Sequence, residues 1–323
     1  MRVLVTGGAG YIGSHLADAL IRRGDEVLVI DNLSTGRFEN IRHLQGHSAF
    51  RFINDTILNE ALLERMIPSR DLIFHLAAAV GVRNILKDPL AAINTNVRGT
   101  EAVLAHAFRY WKRIVIASTS EIYGKASHVP FREDDDRVLG STAVPRWSYS
   151  MSKAIDEHFA FAYATKGLPV SIVRYFNSYG PRLDERGYGS VVANFARQAL
   201  RGEPITVHGD GQQSRCFTYI ADTVMGTLLA GEVEGAVGEA FNIGNPRETP
   251  VLELAQTIKR LARSKSPIQF VPYEAYYGAG FEDTRRRVPS ISKAKRLLGF
   301  QPSVGLEAGL RKTLSWSRDH YRH

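Results

Sequence analysis

Cysteine is nearly absent, Cys216 being the only one. A single thiol closes no intrachain disulfide and cannot supply a multi-thiolate metal site. Long apolar runs are missing as well, since none reaches the ~18 residues a membrane span needs. The chain enters an apolar run at Val3 without the basic stretch and cleavage site of a secretory signal. These absences predict a soluble, cytoplasmic protein with no metal centre and no membrane partner. What is present fits a globular enzyme-sized chain. Apolar residues are 44% and charged residues 23%, so a sizeable core can form and a mostly disordered chain is excluded. The 323 residues are enough for about two domains. The net charge is 41 − 33 = +8. The excess is scattered, with one local cluster at Arg285, Arg286 and Arg287, whereas a nucleic-acid surface wants stripes or arms. A small anionic substrate, or plain solubility, explains the charge better than nucleic acid.

Residues 1–176 alternate short β-branched runs with helical patterns. Strands are predicted at 3–6, 27–30, 51–53, 72–76, 113–117 and 170–175, and helices at 11–23, 59–66, 90–110 and 150–166. In the first helix Ile12, Leu16, Ala19 and Leu20 form one stripe. Near-continuous apolar strands alternating with helices imply a parallel sheet covered on both faces. The fold class is therefore α/β, a doubly wound (Rossmann) sheet. After Asn177 the rhythm changes, and Gly180, Pro181, Gly187 and Gly189 make a turn-rich loop. Helices at 190–201, 222–231, 251–263, 291–298 and 305–317, with strands at 205–208 and 268–271, read as a smaller mixed C-terminal domain. That division, 1–176 and 177–323, includes a crossing back to the sheet near 216–245.

The segment between the first strand and first helix carries Gly7, Gly10 and Gly13. The first glycine suits a tight turn, the second lets backbone approach a pyrophosphate, and the third allows close helix–strand packing. The helix N-terminus then offers free N–H groups to the phosphates. Asp31 ends the second strand, where a carboxylate can accept from ribose hydroxyls. A carboxylate there repels a 2′-phosphate, so NAD is preferred to NADP, with Arg37 nearby as the one opposing feature.

Tyr149 and Lys153 are spaced i, i+4, which puts them on one helix face. Phenol titrates near ~10, and bringing it close to neutrality takes about 4 kcal/mol of differential stabilisation. A neighbouring ammonium and a cationic nicotinamide would favour the phenolate, which can then take a proton from a sugar hydroxyl. The strand ending at 117 leads into Ser118, Thr119, Ser120 and Glu121, and ligands in such sheets bind beyond the carboxyl ends of strands. Thr119 or Ser120 can hydrogen-bond the reacting hydroxyl. Glu121 adds a carboxylate that simple hydride transfer does not need. Cys216 reads as a packed apolar residue, His75 as structural, and the basic residues from Lys293 to Arg296 as helix surface.

These residues together resemble the extended short-chain dehydrogenase/reductases, in particular the nucleotide-sugar epimerases, dehydratases and decarboxylases. The resemblance rests on the glycine motif with Tyr11 and Ile12, the segment Asp31-Asn32-Leu33-Ser34-Thr35-Gly36, the segment His75-Leu76-Ala77-Ala78, the Tyr149/Lys153 pair, and residues 174–182. It implies cofactor contacts from those segments, from Asp55 and Thr56, with Asp55 reading the adenine amine, and from Asn96. It implies diphosphate contacts from Asn177 and Arg215, and further substrate contacts from Val192, Thr206 and His208, with residues 204–208 lining the base. It also implies a homodimer built on the Tyr/Lys helix. Thr119-Ser120-Glu121 and the segment 276–289 are similar to decarboxylases of UDP-glucuronate, and map an active-site arginine onto Arg287. Residues 79–83, with Arg83 as a substrate contact, are closer to the 4-epimerases.

The reaction this resemblance implies is oxidation at C4 of UDP-glucuronate with NAD. The ketone lies β to the carboxylate, so CO2 leaves with the electron pair delocalised as an enolate. Glu121 and Arg287 are expected to manage protonation at C5, and Arg186 is a further carboxylate ligand. The product is UDP-xylose, UDP-4-keto-xylose, or both. The alternatives are a UDP-sugar 4-epimerase, a 4,6-dehydratase, and, from a different class, a non-catalytic dinucleotide sensor.

Overall fold

The computed structural model describes residues 1–81, 85, 88–184, 190–273 and 284–321. Seven parallel strands form the main sheet. In spatial order they are Ala240–Ile243, Val170–Tyr175, Arg113–Thr119, Leu72–His75, Arg2–Thr6, Glu26–Asp31 and Phe50–Asn54. The order reverses between the first and fourth strands, and the crevice at that switch point is where such sheets bind ligands.

The strands are apolar on both faces, and the alternation divides them between two cores. Val3, Val5, Val27, Val29, Phe74 and Val115 pack on one side with Leu16 and Leu20 of the helix Tyr11–Arg22 and Val224 of the helix Ile220–Glu232. Leu4, Leu28, Ile30, Ile73, Ile114 and Ile116 pack on the other side. They meet Leu62 and Leu63 of the helix Glu60–Met66, Val103 and Leu104 of Pro89–Arg109, and Ala160 of Trp147–Thr165. Helix starts follow local chemistry. The side chains of Asn59 and Asp88 accept from Leu62 N (3.1 Å) and Ala91 N (2.9 Å), and Pro89 occupies the first turn, where its missing N–H costs nothing.

The C-terminal elements build three smaller sheets. Ile205–His208 pairs in parallel with Ile268–Val271, against the helices Val191–Arg201 and Val251–Ala262. Ser214–Cys216 lies between Glu248–Pro250 and Arg286–Arg287. Ser178–Tyr179 pairs with Thr218–Tyr219. The strand Ala240–Ile243 extends the large sheet beside Val170–Tyr175. Most boundaries differ from the sequence reading by a residue or two, and three of the larger differences are these. The fifth strand continues to Thr119 because Ser118 and Thr119 pair with Arg174 and Tyr175. The Tyr/Lys helix begins at Trp147 rather than at 150, and the last helix runs to His320 rather than 317. The two- and three-residue strands exist only through their tertiary partners, so no local pattern announces them. Among the described residues no helix is long and apolar enough to cross a membrane, and no three His, Cys, Asp or Glu residues cluster as a metal site.

Candidate active site

The first strand ends in a turn closed by Gly7 N–H donating to Ile30 O at 2.8 Å. Gly7 has φ +71°, and a Cβ there would sit 2.7 Å from Ala77 N. A Cβ on Gly13 would collide with the Gly7 carbonyl. Both positions therefore require glycine. Asp31, buried at the end of the second strand, accepts from Ala9 N (2.9 Å) and Leu33 N (2.8 Å). Burial raises its carboxyl, and the N–H groups of Leu33, Ala9 and Gly10 oppose that shift. Arg37 Nη2 donates to Asp184 Oδ1 at 2.9 Å.

A cavity of about 380 Å³ opens here. Gly7, Gly10, Tyr11, Ile12, Gly13, Asp31, Asn32, Ser34 and Thr35 line one part of it. Asp55, Thr56, Leu76, Ala77, Ala78, Thr119, Tyr149 and Lys153 line the rest of its predicted wall. Two expected residues stand behind the wall instead. A Cβ on Gly36 would lie 2.9 Å from Asp31 Oδ2, so that residue lets the loop close over the acid. Asn96 is buried, accepting from Ala79 N at 2.7 Å and donating to Ser152 Oγ at 3.1 Å. Asp55 accepts from Thr56 N (2.7 Å) and Asn59 Nδ2 (2.8 Å).

A second cavity of about 180 Å³ shares Thr119, Tyr149 and Tyr175 with the first. Ser120, Glu121, Arg146, Asn177 and Arg287 complete its polar lining. Glu121 stands between two guanidiniums, with Arg287 Nη1 at 3.3 Å from Oε1 and Arg146 Nη1 at 3.8 Å from Oε2. Thr119 starts the short turn Ser120–Tyr123, its hydroxyl accepting from Glu121 N at 3.2 Å. Asn177 Oδ1 is buried without a hydrogen-bond partner.

The arginine run at 285–287 separates in space. Arg285 reaches Asp210, Arg286 pairs with Glu248 at 2.7 Å in the open, and Arg287 turns inward and is buried. Arg287 is also the strand partner of Arg215, which is buried beside it and donates to Ser214 O at 2.7 Å. Val192, Thr206 and His208 line neither cavity. Val192 is buried in the helix Val191–Arg201, and the Thr206 hydroxyl accepts from Gln198 Nε2 at 2.8 Å. Arg83 and Arg186 lie outside the described residues.

The sequence reading has the Lys153 ammonium and a bound nicotinamide together favour the Tyr149 phenolate. In the protein alone the phenol is held above its ordinary value. Burial is the main cause, with Glu121 and Asp156 adding to it and the Thr119 hydroxyl opposing it. Lys153 Nζ donates to Asp156 Oδ2 at 2.6 Å, and both side chains are buried, so the ammonium has its own counterion beside Tyr149. His75 is structural and uncharged, its ring bonded to Thr6 Oγ1 (2.8 Å) and Thr100 Oγ1 (3.1 Å). Burial, with Lys153 adding to it, lowers His75 to about 3. Cys216 is buried, and that burial pushes its thiol up to about 12.

Arg146 and Asp156 were missed from the sequence. Their signal was helical spacing, Arg146 lying three residues before Tyr149 and Asp156 three after Lys153.

A glycine turn at the switch point of a doubly wound sheet, with a Tyr/Lys helix at the far end of the same cleft, defines a short-chain dehydrogenase/reductase of the extended, nucleotide-sugar type. The chain belongs to the GDP-mannose 4,6 dehydratase family, whose model matches residues 4–313. A UDP-N-acetyl-alpha-D-glucosaminuronate decarboxylase of Bacillus cytotoxicus is 43% identical over 318 residues, covering 98% of both chains. UDP-glucuronic acid decarboxylase 1 of Danio rerio is 41% identical over 323 residues, covering 100% of this chain and 74% of that one. The crystal structure of UDP-glucuronic acid 4-epimerase from Bacillus cereus, in complex with UDP-glucuronic acid and NAD, superposes with a TM-score of 0.89. Its identity is 31%, and the match covers 99% of this chain and 100% of that one.

Proposed function

We propose that this chain is an NAD-dependent decarboxylase of a UDP-hexuronate, with UDP-glucuronate as the first substrate to test. The observation that carries the reading is the juxtaposition of Glu121 and Arg287 at 3.3 Å in a pocket that also contains Tyr149. Simple C4 chemistry on a neutral sugar has no use for that pair, whereas a substrate carboxylate and a proton to be delivered at C5 do. The decarboxylases similar to the full chain support the same reading.

The residues of the larger cavity fit a dinucleotide. Gly7 and Gly13 form a cradle that a Cβ would fill, and Asp31 is a buried acceptor with Arg37 committed to Asp184. Asp31 thus favours a free ribose hydroxyl over a phosphate. When bound, NAD supplies a hydride acceptor, and later a donor, at the sugar C4. The chain's own residues do the rest. Tyr149 takes the O4 proton, Lys153 orients the ribose and the phenol, and Thr119 and Ser120 hold O4 or the carboxylate. Once C4 is a ketone, the C5–carboxylate bond breaks, CO2 departs, and the electron pair passes into the enolate. Glu121, held by Arg287, relays to C5 a proton taken up from water, and Tyr149 returns one to O4 if the ketone is reduced. Asn177, through its Nδ2 donor, and Arg215 are assigned to the diphosphate. Val192, Thr206 and His208 are assigned to the base, and Arg83 and Arg186 to the sugar acid. In this reading residues 1–176 hold the cofactor and the groups that act on the sugar, while 177–323 supply the nucleotide contacts and Arg287.

A homodimer is part of the proposal. Leu90, Ile93, Met151 and Ile155 are exposed on the two packed helices Pro89–Arg109 and Trp147–Thr165. A second copy of this face would cover them.

The test is mass analysis of the products after incubation with NAD and either UDP-glucuronate or UDP-N-acetylglucosaminuronate. Loss of one CO2 is expected. A UDP-galacturonate product of unchanged mass turns the reading to a 4-epimerase, the activity named for the superposed Bacillus cereus enzyme. A separate expectation concerns Asp31. Asp31→Ser should weaken NAD binding at least about tenfold by calorimetry, since charge-assisted hydrogen bonds contribute roughly 1.5–3 kcal/mol. Unchanged affinity would remove Asp31 from the cofactor site.

A further inference from the structure

We infer that Asp156 is a positioning residue for the cofactor: it anchors the Lys153 ammonium and balances its charge, so that the cavity accepts the cationic ring of an oxidised nicotinamide. The inference rests on the reading of the larger cavity as a dinucleotide site.

Two observations carry it. The first is place. Tyr149, Lys153 and Asp156 follow one another along one face of the helix Trp147–Thr165. Tyr149 and Lys153 line the larger cavity, whereas Asp156 stands behind them, fully buried and outside the lining. An ammonium has three donors. One goes to Asp156 Oδ2 at 2.6 Å, and among the described residues no other hydrogen-bond partner takes the rest. The remaining donors are left for a ligand in the cavity. Asp156 thereby fixes a long, flexible side chain from the side away from that ligand.

The second is cost. Lys153 is 3% exposed and Asp156 0%, and Asp156 Oδ1 is buried without a hydrogen-bond partner. On a helix surface a pair three residues apart adds a little stability. When buried, its desolvation offsets the attraction, and apolar residues of the same volume would hold the helix as well. Folding therefore does not explain the pair. What it supplies is an ammonium held in place with no net charge. The neighbouring groups do not supply that balance. Glu157, next on the helix, is committed to Arg174 at 2.7 Å. His75 is uncharged. Glu121 shares the second cavity with Tyr149 but has Arg287 at 3.3 Å. Without Asp156, a bare ammonium would face a ring that is positive when oxidised and neutral once it has received hydride. The oxidised form would then bind more weakly, and the reduced form would be little affected.

The test compares ligands that differ by that one charge. NADH-loaded protein is titrated with NAD+, and the loss of bound-NADH fluorescence gives the ratio of the two dissociation constants. Wild type, Asp156→Asn, Asp156→Ser and Asp156→Glu are compared, with the melting temperature of each. Asp156→Asn and Asp156→Ser should shift the ratio by about tenfold in favour of NADH. Asp156→Glu, which keeps the charge, should keep the wild-type ratio. The double variant Lys153→Met, Asp156→Leu removes both charges and should also keep it, while binding both nucleotides more weakly. A ratio unchanged in Asp156→Asn and Asp156→Ser would assign Asp156 a structural role and overturn the inference, as would the failure of both variants to fold. A wild type that takes up no NADH would instead sink the reading of the cavity, and this inference with it.

Discussion

Tyr149→Phe should lower kcat on UDP-glucuronate by about 10³-fold, the middle of the range for losing a general acid–base group. The ring remains, so packing against the wall shared by the two cavities is kept. Only the oxygen that meets O4 is lost. NAD affinity and melting temperature should stay at wild-type values. Residual turnover within tenfold of wild type would mean that another group takes the O4 proton. The structure sharpens what this phenol requires. Burial first, then Glu121 and Asp156, hold it above its ordinary value. Lys153, paired with Asp156 at 2.6 Å, does not overcome them. The remaining favourable field has to arrive with the ligands, so the base is poised only in the loaded complex. A pH profile of kcat therefore reports a lower phenol pKa than a spectrophotometric titration of Tyr149 in the free protein.

The largest stability effect should come from behind the site. Glu157 receives Arg174 Nη2 at 2.7 Å and Nε at 2.9 Å, and Ser118 also donates to it. Arg174 in turn reaches the Tyr123 hydroxyl at 2.9 Å, and that hydroxyl donates to Asn242 Oδ1 at 2.7 Å. This network joins three adjacent strands of the sheet to the Tyr/Lys helix. Glu157→Ala leaves the Arg174 guanidinium buried and unpaired, which should cost about 3–5 kcal/mol. For a chain of this size the melting temperature should fall by roughly 4–7 °C. Denaturant titration measures the change directly, and a loss below about 1 kcal/mol would show that water satisfies Arg174 instead. Glu39→Ala, which removes an exposed pair with Arg42, is the control and should leave the midpoint where it is.

Much of this was legible before any coordinates, and the reasons are physical. Strand 170–175 has the expected bounds because its apolar run is buried, and the strands 205–208 and 268–271 match theirs while pairing with each other in parallel. The glycine turn was legible because backbone proximity at Gly7 and Gly13 admits no other residue. The start of the Tyr/Lys helix was not, since Arg146 is no ordinary cap. The end of the fifth strand was missed because Ser118 and Thr119 owe their strand geometry to a neighbour rather than to propensity. The raised Tyr149 phenol of the protein alone was not legible, because spacing revealed the ammonium but neither the burial nor Asp156 beside it. Glu121 and Arg287 are 166 residues apart. No periodicity connects them, and only the family likeness placed them together.

The contacts that hold Arg287 in place come from the middle of the chain. Phe131 N donates to Val288 O at 2.7 Å, Ser290 N returns to Phe131 O at 2.8 Å, and Thr284 donates to Gly124 O at 2.9 Å. A nascent chain emerging from the ribosome therefore owns its glycine turn from the beginning and its Tyr/Lys pair halfway through. It lacks the arginine beside Glu121 until nearly the last tenth has been made. A product cut short before that point still carries the turn and the phenol, but the pocket meant for the sugar acid keeps one open wall.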